Sequence, residues 1–278
     1  EHAAVLDPLR HLQKEGFRLT ELKPNQDGLI NIDQLSEAVE KDTFLVSVMA
    51  ANNEIGVLQP LYEVGSFCAN HGIAFHTDAA QALGYIDLDP DRLFIDLMSL
   101  SAHKIYGPKG IGALVMREEF PLEPSQYGGG QELGLRSGTL PVPLIVGFAK
   151  AVELTKNDQN ERNKRLLFLR NLLFSGLKNN ISGLIVNGSI DNRLPHNLNI
   201  TFPGVNGTRL HSQLRRFIFC TSGSACSNGE PSHVLQEIGL GKREAEASIR
   251  MSIGRNTTEK DIKEAVEIIS NIVINLRK

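Results

Sequence analysis

Pro60-Leu-Tyr-Glu-Val-Gly-Ser-Phe-Cys-Ala-Asn-His71-Gly72-Ile73-Ala-Phe-His76-Thr77-Asp78 is the stretch whose reading decides the fold. Pro60 to Ala69 reads as a helix, His71-Gly72 as its stop, and Ile73 to His76 as a short apolar strand with polar Thr77-Asp78 directly after it. The same order recurs on both sides. Upstream, Asn31-Ile32-Asp33 leads into a helix through about Glu40, and Phe44-Leu-Val-Ser-Val-Met-Ala50 is too short and too β-rich to be helical. Downstream, Asp96-Leu-Met-Ser-Leu100 is the next strand. Amphipathic helices alternating with apolar strands predict an α/β fold built on a mainly parallel sheet. Gly112-Ala-Leu-Val-Met116 follows too closely, after a Gly/Pro turn, for a crossover, so an antiparallel course is expected there.

Further along, Pro121 to Pro143 is irregular and contains Gly128-Gly129-Gly130, and a helical region with a charged middle runs from about Leu144 to Lys178. Composition shifts near residue 155, which divides the chain into a larger domain over 1–155 and a smaller α+β domain over 156–278. In the latter, Leu198 to Phe202, Phe217 to Phe219 and Ser248 to Ser252 read as strands, and a helix starting at Thr258 closes the chain.

With 29 Lys+Arg against 32 Asp+Glu, the charge is nearly balanced at −3, and nothing electrostatic favours nucleic acid or an anionic membrane as partner. Hydrophobic residues at 41% and charged residues at 22% mark a globular protein. No apolar run reaches the ~18 residues that would cross a bilayer. Three cysteines, Cys68, Cys220 and Cys226, are too few for a disulfide framework and point to a reducing compartment. The opening Glu1-His2-Ala3 shows no targeting segment.

Each of three successive strands is followed by polar residues: Asn52-Asn53-Glu54, Thr77-Asp78, and Ser101-Ala102-His103-Lys104. The carboxyl ends of parallel strands are where ligands bind in open α/β sheets. Helix capping is the competing account for the Asn and Asp residues, but Lys104 serves no capping purpose. His71, His76 and Asp78 have metal-ligand chemistry. His71 sits at a helix stop, however, and no metal site is expected. Gly107-Pro-Lys-Gly110-Ile-Gly112 lacks the spacing of a P-loop and reads as a turn.

Cys226 lies in Thr221-Ser-Gly-Ser-Ala-Cys226-Ser-Asn-Gly-Glu230, small and polar residues that cannot pack as a core, which makes it a reactive-thiol candidate. Cys220 follows Phe-Ile-Phe and Cys68 sits in a helix, so both are expected to be packed. Arg250 stands inside the apolar strand Ser248-Ile-Arg-Met-Ser252, where burial calls for an anion, either a structural ion-pair partner or a substrate carboxylate.

Ser101-Ala-His103-Lys104-Ile-Tyr-Gly-Pro-Lys-Gly110 resembles the pyridoxal-phosphate lysine motif of the NifS/IscS-like cysteine desulfurases, in the class V aminotransferase superfamily. Glu1-His2, Asn52-Asn53-Glu54-Ile-Gly56, His76-Thr-Asp78-Ala-Ala-Gln81, Arg136-Ser-Gly-Thr139-Leu-Pro141 and Ser222-Gly-Ser-Ala-Cys226 match further motifs in the same order. The resemblance implies fold type I of the pyridoxal-phosphate enzymes, a homodimer, and sulfur transfer from L-cysteine, leaving L-alanine, for iron–sulfur cluster assembly or thiolation. A cystine or selenocysteine lyase of the same fold, or an inactive homologue serving as a binding partner, are the rival readings.

By the same resemblance Lys104 would hold pyridoxal 5'-phosphate as a Schiff base and Asp78 would pair with its pyridinium nitrogen. His2 would stack on the ring, and Gln81 would bond its phenolic oxygen with Asn53 beside it. Ser101 and His103 would hold the phosphate, joined by the partner subunit's Thr139. Arg250 and Asn53 would receive the substrate carboxylate, and Cys226 would be the nucleophile that becomes a persulfide. An iron–sulfur scaffold or another sulfur acceptor would be the protein partner, in the cytoplasm or, in a eukaryote, an organelle matrix or stroma.

Two departures from the family pattern carry expectations of their own. The family's chains begin before Glu1, so an N-terminal part of the large domain, at least ~30 residues of βαβ unit, is expected to be missing here. Only Ser227-Asn228-Gly229 separate Cys226 from Glu230-Pro-Ser-His233, a shorter loop than some members have, with a correspondingly shorter reach.

Overall fold

A computed structural model describes residues 1–118, 120–218, 220–221 and 231–278. In chain order its elements are α1 (Ala3–Lys14), α2 (Ile32–Ala38), β1 (Leu45–Ser47), α3 (Leu61–His71), β2 (Ala74–Asp78), β3 (Leu97–Ser101), β4 (Gly112–Met116), α4 (Val142–Asn157), α5 (Gln159–Asn180), β5 (Ile185–Val186), β6 (Asn197–Thr201), α6 (Gly207–Leu214), α7 (His233–Glu237), α8 (Lys242–Glu246), β7 (Ser248–Ser252) and α9 (Glu259–Leu276). They form two compact units. A central unit holds Asp42–Val48 and Leu61–Gln159, and a terminal unit gathers Glu1–Lys41, Met49–Pro60 and Asn160–Lys278.

The central unit is built on a four-stranded sheet in the order β1-β2-β3-β4. β1 pairs with β2 and β2 with β3 in parallel, with Ser47 opposite His76 and Asp78 opposite Ser99. β4 returns antiparallel to β3, from Leu97↔Met116 to Ser101↔Gly112. The parallel α/β sheet and its antiparallel last strand are therefore those the sequence predicts. α3 explains why its segment is helical: Leu61, Val64, Gly65 and Cys68 recur at helical spacing and are its buried residues. Asp96 closes the base of the sheet, where its Oδ2 accepts the Phe75 N–H at 2.8 Å and Arg117 pairs with it at 3.3 Å.

The terminal unit carries an antiparallel sheet, β5-β6-β7. Leu166, Leu169, Leu173 and Leu177 form the buried stripe of α5. In α9, Thr258 and Asp261 cap each other's backbone N–H, at 3.2 and 2.8 Å, which starts the closing helix where the sequence placed it. The helical region expected from Leu144 to Lys178 is two helices, broken at Asp158. The strand expected over Phe217–Phe219 is not present at its described residues. The N–H groups of Phe217 and Ile218 both bond back to Leu214 O at 2.9 Å, so they extend the end of α6 instead, and Phe219 lies outside the described residues. α1, with Pro8 inside it, and α6 are helices that the sequence reading does not contain, and α7, α8 and β5 are too short to show a period.

His196, one residue before β6, gives this unit an acid-sensitive point. Burial, with the charges of Arg162 and Arg170, lowers its imidazole from 6.5 to about 4. The folded state therefore keeps His196 neutral at a pH where the unfolded chain takes up a proton. Stability is full above pH 6.5 and falls as the pH drops towards 4, by about 3 kcal/mol at most. Urea unfolding at pH 7 and at pH 4.5 should show this loss, and His196→Gln should flatten it. An equal loss in the variant would assign the acid sensitivity to other groups.

Candidate active site

In the central unit, three parallel strands end side by side and present functional residues at their carboxyl ends. His76 and Asp78 stand two residues apart on β2 and share one face, while Phe75 and Thr77, which alternate with them, are buried on the other. The imidazole of His76 bridges its neighbours, with Nδ1 2.8 Å from Ser47 Oγ on β1 and Nε2 2.9 Å from Ser99 Oγ on β3. Burial pushes the ring below the ordinary histidine value, partly offset by Asp78. A neutral ring with both nitrogens engaged is a cross-strand tie, not a metal ligand. Among the described residues no group of three His, Cys, Asp or Glu is placed to hold a metal ion. Sequence reading missed this tie, although Ser47, His76 and Ser99 all sit inside strands it had recognised.

Asp78 Oδ1 accepts the Ala80 N–H at 2.9 Å. This orients the carboxylate and, among the described residues, leaves Oδ2 for an outside donor. Asn52, in the Met49–Pro60 segment of the terminal unit, behaves similarly: its Oδ1 takes the N–H groups of Glu54 and Ile55 at 2.8 and 3.0 Å. Capping is thus part of what both residues do, though each caps a turn and not an α-helix. Ser101, by contrast, makes no side-chain cap bond to the turn it starts.

That turn, Ala102–Ile105, is a single 3-10 segment. With three residues per turn, Ala102 and Ile105 fall on the same side, and both are buried with Phe148 and Ala151 of α4. His103 and Lys104 consequently face solvent. Gly107 closes the turn by bonding to Ala102 O at 2.9 Å, and a Cβ there would lie 2.9 Å from that oxygen and 3.1 Å from Ala151 Cβ. The base beneath Lys104 is therefore rigid while its amine is free to react. Desolvation, then the charges of Lys104 and Lys109, lowers the His103 imidazole below its usual value. Gln81 is half-buried in the turn after β2, and Thr139 is exposed beside Gly138, whose N–H donates to Gln131 Oε1 at 2.9 Å.

The terminal unit holds the other expected residues. His2 caps α1, with Nδ1 accepting the Ala4 N–H at 3.1 Å. Arg250 lies on β7 opposite Asn199, and its Nη1 donates to Asn53 O at 2.9 Å. Burial lowers its guanidinium, with Glu54 acting against that. Among the described residues Arg250 contacts a carbonyl and has no carboxylate within ion-pair distance, which leaves its remaining donors for an anionic ligand. Cys226 lies outside the described residues. Of the other two thiols, burial and then Asp96 raise Cys68 to about 11, and burial raises half-buried Cys220, with Arg215 acting against it.

An amine, an oriented carboxylate, and a hydroxyl beside an imidazole in a locally cationic turn form a donor set that fits a phosphorylated pyridine aldehyde. The comparisons agree with that chemistry. Residues 1–265 match the aminotransferase class-V family model. The mitochondrial cysteine desulfurase of Arabidopsis thaliana is 48% identical over the whole chain, and the cysteine desulfurase IscS of Vibrio vulnificus is 47% identical. The chain spans 62% of the length of the first relative and 69% of the second. A NifS-like protein superposes with a TM-score of 0.91 at 36% identity, covering 99% of this chain and 73% of that one. A NifS-like protein from Rickettsia africae gives 0.88 at 30%, covering 98% and 73%.

Proposed function

The chain belongs to the class-V aminotransferase family, and from that premise we propose that it is a cysteine desulfurase that uses pyridoxal 5'-phosphate. The observation that carries the reading is the placement of Asp78 at the end of β2 and of Lys104 just past the adjacent parallel β3, at the sheet end where such folds bind ligands. The cofactor, when bound, supplies an electron sink conjugated to the substrate's α-carbon. The protein's residues do the rest. Lys104 would bind the cofactor aldehyde, and Asp78 would hold the proton on the pyridine nitrogen. Ser101 and His103 would bind the phosphate together with the partner subunit's Thr139, Gln81 would bond the phenolic oxygen, and His2 would stack on the ring. Asn53 stands beside that oxygen and the substrate carboxylate.

Arg250 receives that carboxylate, and the Cys226 thiolate attacks the substrate Sγ. An S–S bond forms, the Cβ–Sγ bond breaks, and the carbon side takes up a proton, so L-cysteine and the Cys226 thiol give L-alanine and a Cys226 persulfide. The cofactor residues lie within 1–155 and the sulfur carrier within 156–278. A homodimer that delivers sulfur to an iron–sulfur scaffold or a thiolation acceptor, in the cytoplasm or an organelle matrix, completes the proposal.

The test is product analysis after incubation of the cofactor-loaded chain with L-cysteine and a thiol reductant. Alanine and sulfide in equal amounts are expected. Pyruvate in place of alanine would mean β-elimination, and the reading would become that of a lyase. Arg250→Lys should raise KM for L-cysteine about ten-fold and change kcat less, because an ammonium cannot reproduce a two-pronged grip. Unchanged KM would assign Arg250 to structure through Asn53.

A further inference from the structure

Among the described residues Glu54 is a buried carboxyl group whose only part in the chemistry above is its charge effect on Arg250. It is 1% exposed. Its backbone is fixed on both sides: the N–H bonds to Asn52 Oδ1, and the carbonyl accepts from Asn197 Nδ2 at 3.2 Å and Asn199 Nδ2 at 3.1 Å. Gly56, at φ +72, brings the chain so close to β6 that a Cβ would lie 2.5 Å from Asn197 Cγ. With its backbone held, Glu54 aims its carboxylate at one partner, and Oε2 accepts the Ser232 hydroxyl. Ser232 Oγ in turn accepts the Leu235 N–H at 3.2 Å and starts α7, whose Val234 and Leu235 bury against Ile55 and Val57.

Thr221 and Ser232 bracket in sequence the stretch that carries Cys226. Thr221 O accepts the Arg250 N–H at 2.8 Å, and Arg250 Nη1 reaches Asn53 O. Both brackets therefore run back to adjacent residues, one to Asn53 through Arg250 and the other to Glu54 directly. Capping does not account for Glu54, because a serine caps α7 without help from a carboxylate. A carboxyl group buried to this degree is costly unless it is hydrogen-bonded.

We propose that Glu54 is a positioning residue for sulfur transfer: through Ser232 it fixes the C-terminal root of the Cys226-bearing stretch to the same loop that holds Arg250. The proposal rests on the desulfurase reading. Two substitutions separate its parts. Glu54→Gln keeps an acceptor for the Ser232 hydroxyl, whereas Glu54→Met removes it and leaves Ser232 free to cap α7.

The measurements are the single-turnover rate of Cys226 persulfide formation, followed by mass spectrometry in the cofactor-loaded chain, and hydrogen exchange of the amides over 233–238. Glu54→Met should slow persulfide formation about ten-fold, with KM for L-cysteine and cofactor absorbance within about two-fold of wild type. Exchange over 233–238 should rise about ten-fold in Glu54→Met and stay near wild type in Glu54→Gln. If Glu54→Met does not fold, Ser232→Gly removes the tether while glycine still serves as a cap, and the same changes are expected. Wild-type rates and exchange in Glu54→Met, or equal losses in both Glu54 variants, would overturn the proposal. A wild-type chain that forms no persulfide at Cys226 defeats the desulfurase reading instead, and the exchange contrast then decides the tether by itself.

Discussion

Lys104→Ala is expected to abolish sulfide release from L-cysteine, by more than about a thousand-fold, and to remove the visible absorbance of bound cofactor. The size of the effect follows from the turn. Lys104 is exposed on a 3-10 segment whose Ala102 and Ile105 side chains are pinned in the core, so its amine starts from a fixed base just past β3. Lys109 is the next lysine, beyond the tight closure at Gly107, and inherits none of that placement. Removing an exposed side chain leaves the packing beneath it intact, so the thermal midpoint should stay near that of wild type. Borohydride reduction followed by peptide mapping checks the assignment directly. Wild type should carry the cofactor covalently on the peptide with residue 104, and the variant should carry none. Covalent cofactor on the variant would transfer the role to another lysine.

The strands that lead to Asp78 and Lys104 were legible because the signals are local. Ile73 to His76 and Asp96 to Leu100 are short apolar runs between turn residues; α3 separates β1 from β2, which pair in parallel, and the connection from Ala79 to Asp96 is long enough to bring β3 parallel to β2 without a helix. The α9 start was legible for the same reason, since Thr258 and Asp261 lie within one helical turn. What stayed hidden is non-local. The Ser47–His76–Ser99 tie links residues 29 and 23 positions apart, and Ser232 meets Glu54 across 178. No periodicity carries such pairs. Phe217-Ile218 misled because an apolar dipeptide after a helix can end that helix or begin a strand, and the carbonyl of Leu214 decides for the helix.

Cys226→Ser is the second large effect. It should bind the cofactor and L-cysteine as wild type does, yet release almost no sulfide and carry no persulfide. The argument turns on the competing thiols. A thiol attacks sulfur as the thiolate, so a cysteine whose proton is held tightly is a poor nucleophile at neutral pH. Cys68 is fully buried on α3 with its thiol raised to about 11, and Cys220 is half-buried and raised as well. Neither is suited to replace Cys226, whose neighbours Ser224, Ala225, Ser227 and Asn228 are small and polar. Serine preserves that size but offers a hydroxyl, which cannot form the S–S bond that carries sulfur away from the substrate. Cys68→Ser and Cys220→Ser should therefore keep most of the sulfide release, while Cys226→Ser loses at least about a hundred-fold. Sulfide assays on the three variants, with mass spectrometry of the peptide containing residue 226, make the comparison. Normal release from Cys226→Ser, or a persulfide on Cys220, would show that sulfur leaves by a route that does not use the Cys226 thiol.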